Sequence, residues 1–208
     1  MAVATLFEPH RADCHASGLS DETIARADLF SVPPGDLNRL CGREIPAGHS
    51  GLGFPYERGA RPFTRVKLFP ALRTGDGRQV KYLQPANSPV RAYLRGLDLC
   101  GDRETILADP SVSLRITEGE KKALALCQAK LPTIGLGGIW NFRAKTLPPD
   151  QLIADLEVVE WARRLVYLVP DSDAWANEHV LDAVFRLARL LEARRATVSV
   201  VQIPEGGR

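Results

Sequence analysis

The chain is predicted to be an α/β protein: a mostly parallel sheet with flanking helices, preceded by a small α+β module built on antiparallel strands. Three observations carry this expectation. Between about 45 and 95, short alternating strands meet at tight turns, notably Thr74-Gly75-Asp76-Gly77. From about 110 onward, apolar runs alternate with helical patterns, the signature of parallel strands joined by crossover helices. The 208 residues suffice for one large or two small domains with a real core. The expected division is residues 1–108 for the first module and 109–208 for the parallel sheet.

In chain order, residues 1–16 show little patterning. Residues 17–29 read as a short helix with Ser20 as N-cap and acids in its first turn. Val32-Pro33-Pro34-Gly35 is expected to end it. Gly51-Leu52-Gly53-Phe54 reads as a turn entering a strand. In the strand 65–70, Arg65 and Lys67 face one way and Val66 and Leu68 the other. The return strand spans 79–83. In the second half, strand 112–117 leads into helix 119–130, and strand 133–136 into a glycine-rich loop. A helix over 150–163 precedes strand 165–169, a helix over 174–193 and strand 197–203. The chain stops just after that strand, which suggests a piece of a longer protein.

Bulk properties exclude little. The net charge of +2 is too small to demonstrate a nucleic-acid partner without a local basic patch. The cysteines at 14, 41, 100 and 127 form no CxxC pair, so they read as thiols in a reducing cytosol. No apolar run approaches the ~20 residues of a membrane span, and the N-terminus lacks a signal-peptide core. The expected location is cytoplasmic.

Two strand ends carry acids. Leu114-Arg115-Ile116-Thr117 ends in Glu118-Gly119-Glu120, and Leu165-Val166-Tyr167-Leu168-Val169 ends in Pro170-Asp171-Ser172-Asp173. In a parallel sheet, ligand sites lie beyond the carboxyl ends of the strands. Three carboxylates gathered there repel one another and need a cation, and oxygen-only ligands suit Mg²⁺ or Mn²⁺. Equally open is a reading in which Asp171-Ser172-Asp173 merely caps the next helix.

Lys121 and Lys122 stand in the first helical turn, where cations oppose the macrodipole by ~0.3–1 kcal/mol. Glu118 and Glu120, or a bound phosphate, would offset them. Gly135-Leu136-Gly137-Gly138-Ile139-Trp140 departs from a dinucleotide loop at its last position and reads as a tight turn. Arg65, Lys67, Lys81 and Arg91, with Tyr82 and Phe69 interleaved, either track a nucleic-acid backbone or form a solvated hairpin face. The four histidines are scattered and receive no catalytic role.

Ile116-Thr117-Glu118-Gly119-Glu120 before a helix, followed by Val169-Pro170-Asp171-Ser172-Asp173, resembles the Toprim domain of primases, topoisomerases and some nucleases. Gly77-Arg78-Gln79-Val80-Lys81-Tyr82-Leu83 is similar to a stretch that precedes the Toprim glutamate in bacterial replicative primases. The nearest likeness is to Toprim-like domains of phage and plasmid primase-helicases, and it covers roughly residues 17–205.

The resemblance implies a primase-type nucleotidyltransferase that makes primers on single-stranded DNA during replication of a phage, plasmid or mobile element. Glu118, Asp171 and Asp173 would hold Mg²⁺ or Mn²⁺ and act on nucleoside triphosphates. Arg65, Lys67, Lys81, Tyr82, Arg91, Lys121 and Lys122 would bind template or triphosphate. A helicase domain in the same longer chain would be a natural partner. The alternatives are a Toprim nuclease and a non-catalytic nucleic-acid-binding module attached to a helicase. Three departures stand out. Lys122 occupies the position of a usual aspartate, Ala174-Trp175-Ala176-Asn177 replaces an expected glycine, and no zinc-binding module precedes the core.

Overall fold

The computed structural model describes residues 6–57 and 63–203, apart from the side chain of Asp173. The fold is mixed α/β, with one antiparallel and one mostly parallel sheet. The chain divides into two compact units, residues 1–88 and 89–208. Segment 89–108 belongs to the second unit, because its strand pairs there.

The first unit is a four-stranded antiparallel sheet in the order β1-β2-β3-β4. Its strands are β1 (Phe30–Val32), β2 (Ser50–Pro55), β3 (Thr64–Arg73) and β4 (Gln79–Leu83). Helices α1 (Glu8–Ala16), α2 (Asp21–Arg26) and α3 (Pro34–Cys41) complete it. The expected alternation on β3 holds. Val66 and Leu68 join Val32, Leu37, Cys41, Ile45 and Leu83 in one core under α3.

The opposite face of that sheet receives α1. The His10 ring lies between the Ser31 and Ser50 hydroxyls at 2.8 and 3.0 Å. Asp13 forms an ion pair with Lys67. Gly51 and Gly53 are not a turn; they sit inside β2, where a side chain at Gly53 would lie 2.7 Å from the Phe30 ring.

Helix α1 falls in the stretch expected to lack pattern. Only His10 and Cys14 of its nine residues are buried, so it carries no apolar stripe. Helix α3 begins with the proline expected to break the chain. Proline is well suited to the first helical turn, where its missing N–H would have no partner. Ser20 caps α2 as expected, accepting from the Thr23 N–H at 3.2 Å.

The second unit is a five-stranded sheet in the order β5-β7-β6-β8-β9. The strands are β5 (Ala92–Tyr93), β6 (Leu114–Glu118), β7 (Thr133–Leu136), β8 (Leu165–Val169) and β9 (Thr197–Val200). All neighbours pair in parallel except β5 with β7. The helices are α4 (Arg103–Ala108), α5 (Glu120–Gln128), α6 (Ala154–Glu157) and α7 (Glu178–Ala193).

The chain moves one way from β6 to β7, then crosses back over β6 to reach β8 and continues to β9. Right-handed crossovers therefore put α5 on one face and α6 with α7 on the other. An Arg194–Glu157 ion pair at 2.5 Å joins α6 to the residue that follows α7.

The helix expected over 150–163 is only the four residues of α6. Its neighbours bond elsewhere: Ile153 N–H reaches Phe142 O at 3.0 Å and Glu160 N–H reaches Leu107 O at 3.0 Å. Strand β9 ends at Val200 rather than 203. Arg164 is 0% exposed and holds this region together. It donates to the carbonyls of Glu160, Ile106, Val112 and Leu107 at 2.7–3.1 Å. Among the described residues, no helix is long and apolar enough to cross a membrane.

Candidate functional site at the sheet switch point

Strands β7 and β8 flank β6, so the chain leaves β6 toward one face and β8 toward the other. That is a topological switch point, where open parallel sheets form a crevice. The register pairs Thr117 with Val169, so Glu118 and Asp171 follow at adjacent strand ends. The Thr117 hydroxyl donates to the Val169 carbonyl at 2.9 Å and fixes that register.

The turn out of β6 is built by two glycines. Gly119 adopts φ +93°, a conformation that favours glycine, and its N–H donates to Leu136 O at 2.7 Å. Gly135 on β7 leaves room for it: a Cβ there would lie 3.0 Å from Gly119 O and 3.1 Å from the Ala123 Cβ. Gly135 thus serves strand–helix packing. Helix α5 starts at once.

Lys122, in the first turn of α5, forms an ion pair with Asp171. This answers how a lysine is tolerated there: the carboxylate at the end of the neighbouring strand offsets the helix dipole. It also fixes where the Asp171 carboxylate points. Asp171 makes no side-chain cap bond to the 3₁₀ turn Ser172–Ala176. Helix α7 is capped by Asn177, whose side chain accepts from the N–H groups of His179 and Val180 at 3.1 and 3.4 Å. The Asp171 carboxylate is therefore turned toward α5 and not spent on capping.

The Asp171 carboxylate is occupied by the Lys122 ammonium group, and Glu118 ends the adjacent strand. Among the described residues, no group of three His, Cys, Asp or Glu side chains is assembled for a metal. The side chain of Asp173 lies outside the described residues. Lys121 is partly exposed beside this turn.

The remaining expected contact residues are divided between the units. In the first, the Arg65 guanidinium stands 4.8 Å from the Tyr82 ring centroid. Lys67 is paired with Asp13, and Lys81 is exposed. In the second, Arg91 is bonded to Asp155 at 2.7 Å.

Other polar residues near the site had no recognisable signature in the sequence. Tyr93 is fully buried; burial and then the Glu120 carboxyl push its phenol well above the ordinary range. Arg95 is buried and ion-paired with Asp98. Beyond β7, Trp140 Nε1–H donates to His179 Nε2 at 2.9 Å, and the Arg143 guanidinium lies 6.0 Å from the Trp140 ring. The scattered appearance of the histidines hid this contact, which joins positions 39 residues apart. A groove of about 510 Å³ runs along α7, lined by Pro149, Asp150, Asp182, Phe185, Arg186, Arg189 and Leu190; none of the site residues above lines it.

Residues 103–208, just over half of the chain, match a family model described as Domain of unknown function (DUF3854). The chain belongs to this family. No curated protein and no solved structure matches it. The DUF3854 segment runs from α4 to the end of the chain. It contains Glu118, Lys122, Asp171 and the Trp140–His179 contact. Arg65, Lys67, Lys81, Tyr82 and Arg91 lie outside it.

Proposed function

We propose that the switch-point crevice is a Toprim-type site that handles nucleotide phosphates, and that the protein is a primase-type nucleotidyltransferase acting on single-stranded DNA. The observation that carries this reading is Asp171. It follows β8 at the switch point, is relieved of capping by Asn177, and already receives a cationic group from α5.

In the proposed reaction, a 3′-hydroxyl attacks the α-phosphorus of a nucleoside triphosphate. The new bond is O3′–Pα, the hydroxyl proton passes to solvent, and pyrophosphate leaves with the electrons of the broken Pα–O bond. Glu118, Asp171 and Asp173 would hold Mg²⁺ or Mn²⁺, which supplies positive charge to the phosphates. Lys122 has the reach of a flexible four-carbon stem and would exchange Asp171 for a phosphate oxygen. Lys121 adds positive charge at the same helix start. Arg65, Lys81 and Tyr82 are the candidates for the template strand. Lys67 and Arg91 are bonded to Asp13 and Asp155, so their expected contribution is smaller. Replication of a phage, plasmid or mobile element, with a helicase in the longer chain, is the setting this reading implies.

One observation favours a second reading. The Lys122–Asp171 pair stands where a catalytic site would gather acids, which suits a non-catalytic nucleic-acid-binding module. Incubation with a single-stranded template, labelled nucleotides and Mg²⁺ or Mn²⁺ separates the possibilities. The proposal expects dinucleotide synthesis that disappears in Asp171→Ala. Template degradation without synthesis points to a nuclease. Template binding with neither activity points to the module.

A further inference from the structure

Helix α7 buries one face through Ala183, Val184, Leu187, Ala188 and Leu191. Phe185 lies on the opposite face and is 47% exposed. At 3.6 residues per turn it shares a stripe with Asp182, Arg186 and Arg189. Beside that stripe runs the groove of about 510 Å³, to which Pro149 and Leu190 give apolar wall. Among the described residues, none of Asp182, Arg186 and Arg189 is in an ion pair. The face therefore combines an exposed aromatic ring, a hollow beside it and three uncommitted charges.

The order of those charges selects the occupant. Asp150 and Asp182 balance Arg186 and Arg189 along the groove, so it offers no net attraction to a polyanion such as nucleic acid. A complementary surface must carry both signs, and this same helix supplies one. Asp182 and Arg189 stand two turns apart, about 10.5 Å along the axis, with positions 185 and 186 midway between them. Two copies of α7 lying antiparallel across a two-fold axis at that midpoint bring each Asp182 to the partner subunit's Arg189. Each Phe185 then meets the partner subunit's Arg186, a guanidinium against a ring. The partner subunit's Phe185 falls on the Arg186 side of the stripe, where Leu190 and Pro149 line the groove. A parallel pairing would set each acid and each base against its own copy.

We propose that the exposed face of α7 is a self-association surface, on which two copies of this chain pair antiparallel about positions 185 and 186. None of Glu118, Lys122 and Asp171 lines the groove, so the proposal stands apart from the nucleotide-phosphate reading. The 16 residues of α7 span about 24 Å, and one helix pair of that length makes a contact at the small end of specific interfaces. Association is accordingly expected at micromolar and not nanomolar concentration.

The test is sedimentation velocity of the whole chain over a micromolar-to-millimolar concentration series. The native chain is expected to pass from monomer to dimer within that range. Phe185→Glu, which places two like charges near the two-fold axis, should weaken the dimer at least about tenfold. Asp182→Arg and Arg189→Asp should each weaken it about fivefold, because each change turns two attractive pairs into repulsive ones. The double variant Asp182→Arg/Arg189→Asp restores opposite charges across the axis and should recover most of that loss. Circular dichroism matching the native spectrum separates lost association from lost folding in every variant. A native chain that stays monomeric throughout overturns the proposal and leaves the groove to another partner. A dimer indifferent to Phe185→Glu overturns it as well, since the contact then lies elsewhere. Single reversals without effect, or a double variant no better than the singles, overturn the antiparallel pairing.

Discussion

Lys122→Ala probes the site directly. Its pair with Asp171 is half in solvent, with side chains 51% and 40% exposed. A pair in that setting contributes ~0.2–1 kcal/mol. Removing Lys122 also relieves a cation at a helix start, an effect of ~0.3–1 kcal/mol in the opposite direction. Global stability should therefore change by less than about 1 kcal/mol. The cation site should change more visibly. A divalent ion taking Asp171 must break the pair, and at about 1.4 kcal/mol per decade that cost lowers its affinity about 1.4- to fivefold. Lys122→Ala should tighten Mn²⁺ binding by that factor, measured by the loss of the free-ion electron paramagnetic resonance signal. Raising salt to about 1 M, where the Debye length is about 3 Å, should shrink the difference. Weaker Mn²⁺ binding in Lys122→Ala would refute the reasoning, because it would make Lys122 an organiser of Asp171 and not a competitor.

Three further outcomes are expected. Arg164→Met leaves four buried carbonyls without their donor, and urea melts should show a loss of about 3–5 kcal/mol; a loss under about 1 kcal/mol would contradict the clip described above. Burial, opposed by Asp13 and reinforced by Lys67, holds the His10 imidazole below its usual value of 6.5, so the unfolded chain binds the proton more readily. Its stabilising contribution is complete above about pH 6.5 and is lost as pH falls below that value, and a His10→Gln variant should show a flatter acid limb in pH-dependent melts. Gly135→Ala puts a methyl 3.0 Å from Gly119 O, and should cost about 1–3 kcal/mol while loosening Mn²⁺ binding through the displaced turn; unchanged melting and binding would remove Gly135 from the account of the site.

Strands with strong local signals were legible in the sequence. β4, β7 and β8 run over the residues their patterns predict, and α5 starts where the Glu118-Gly119 turn places it. The alternation on β3 put Val66 and Leu68 on one face, and that face lies in a core. Local reasoning failed where long-range bonds decide the backbone. Leu152, Leu156 and Val159 are spaced like one face of a helix, yet the chain around them bonds to Phe142 and Leu107. Helix α1 is amphipathic only weakly, so its polar contacts with Ser31, Ser50 and Lys67 define it more than any stripe does. At the site, the acids at both strand ends were readable, and so was the oddity of lysines in a helical first turn. The partner of Lys122 was not, because it lies 49 residues away and is brought close only by the parallel pairing of β6 with β8. Trp140 lies in a turn, as its glycine-rich stretch predicts, but its bond to His179, 39 residues on, had no local signal.

In the proposed function, Glu118 and Asp171 together govern nucleotide phosphates at the switch point. Equilibrium dialysis of a labelled nucleoside triphosphate with Mn²⁺ tests it most directly, comparing the native chain with Glu118→Ala and Asp171→Ala. The account predicts saturable binding to the native protein and a loss of at least about tenfold in each variant, as expected when a charged contact worth about 1.5–3 kcal/mol is removed. Saturable binding of equal strength in all three proteins would contradict it, as would no saturable binding to the native chain.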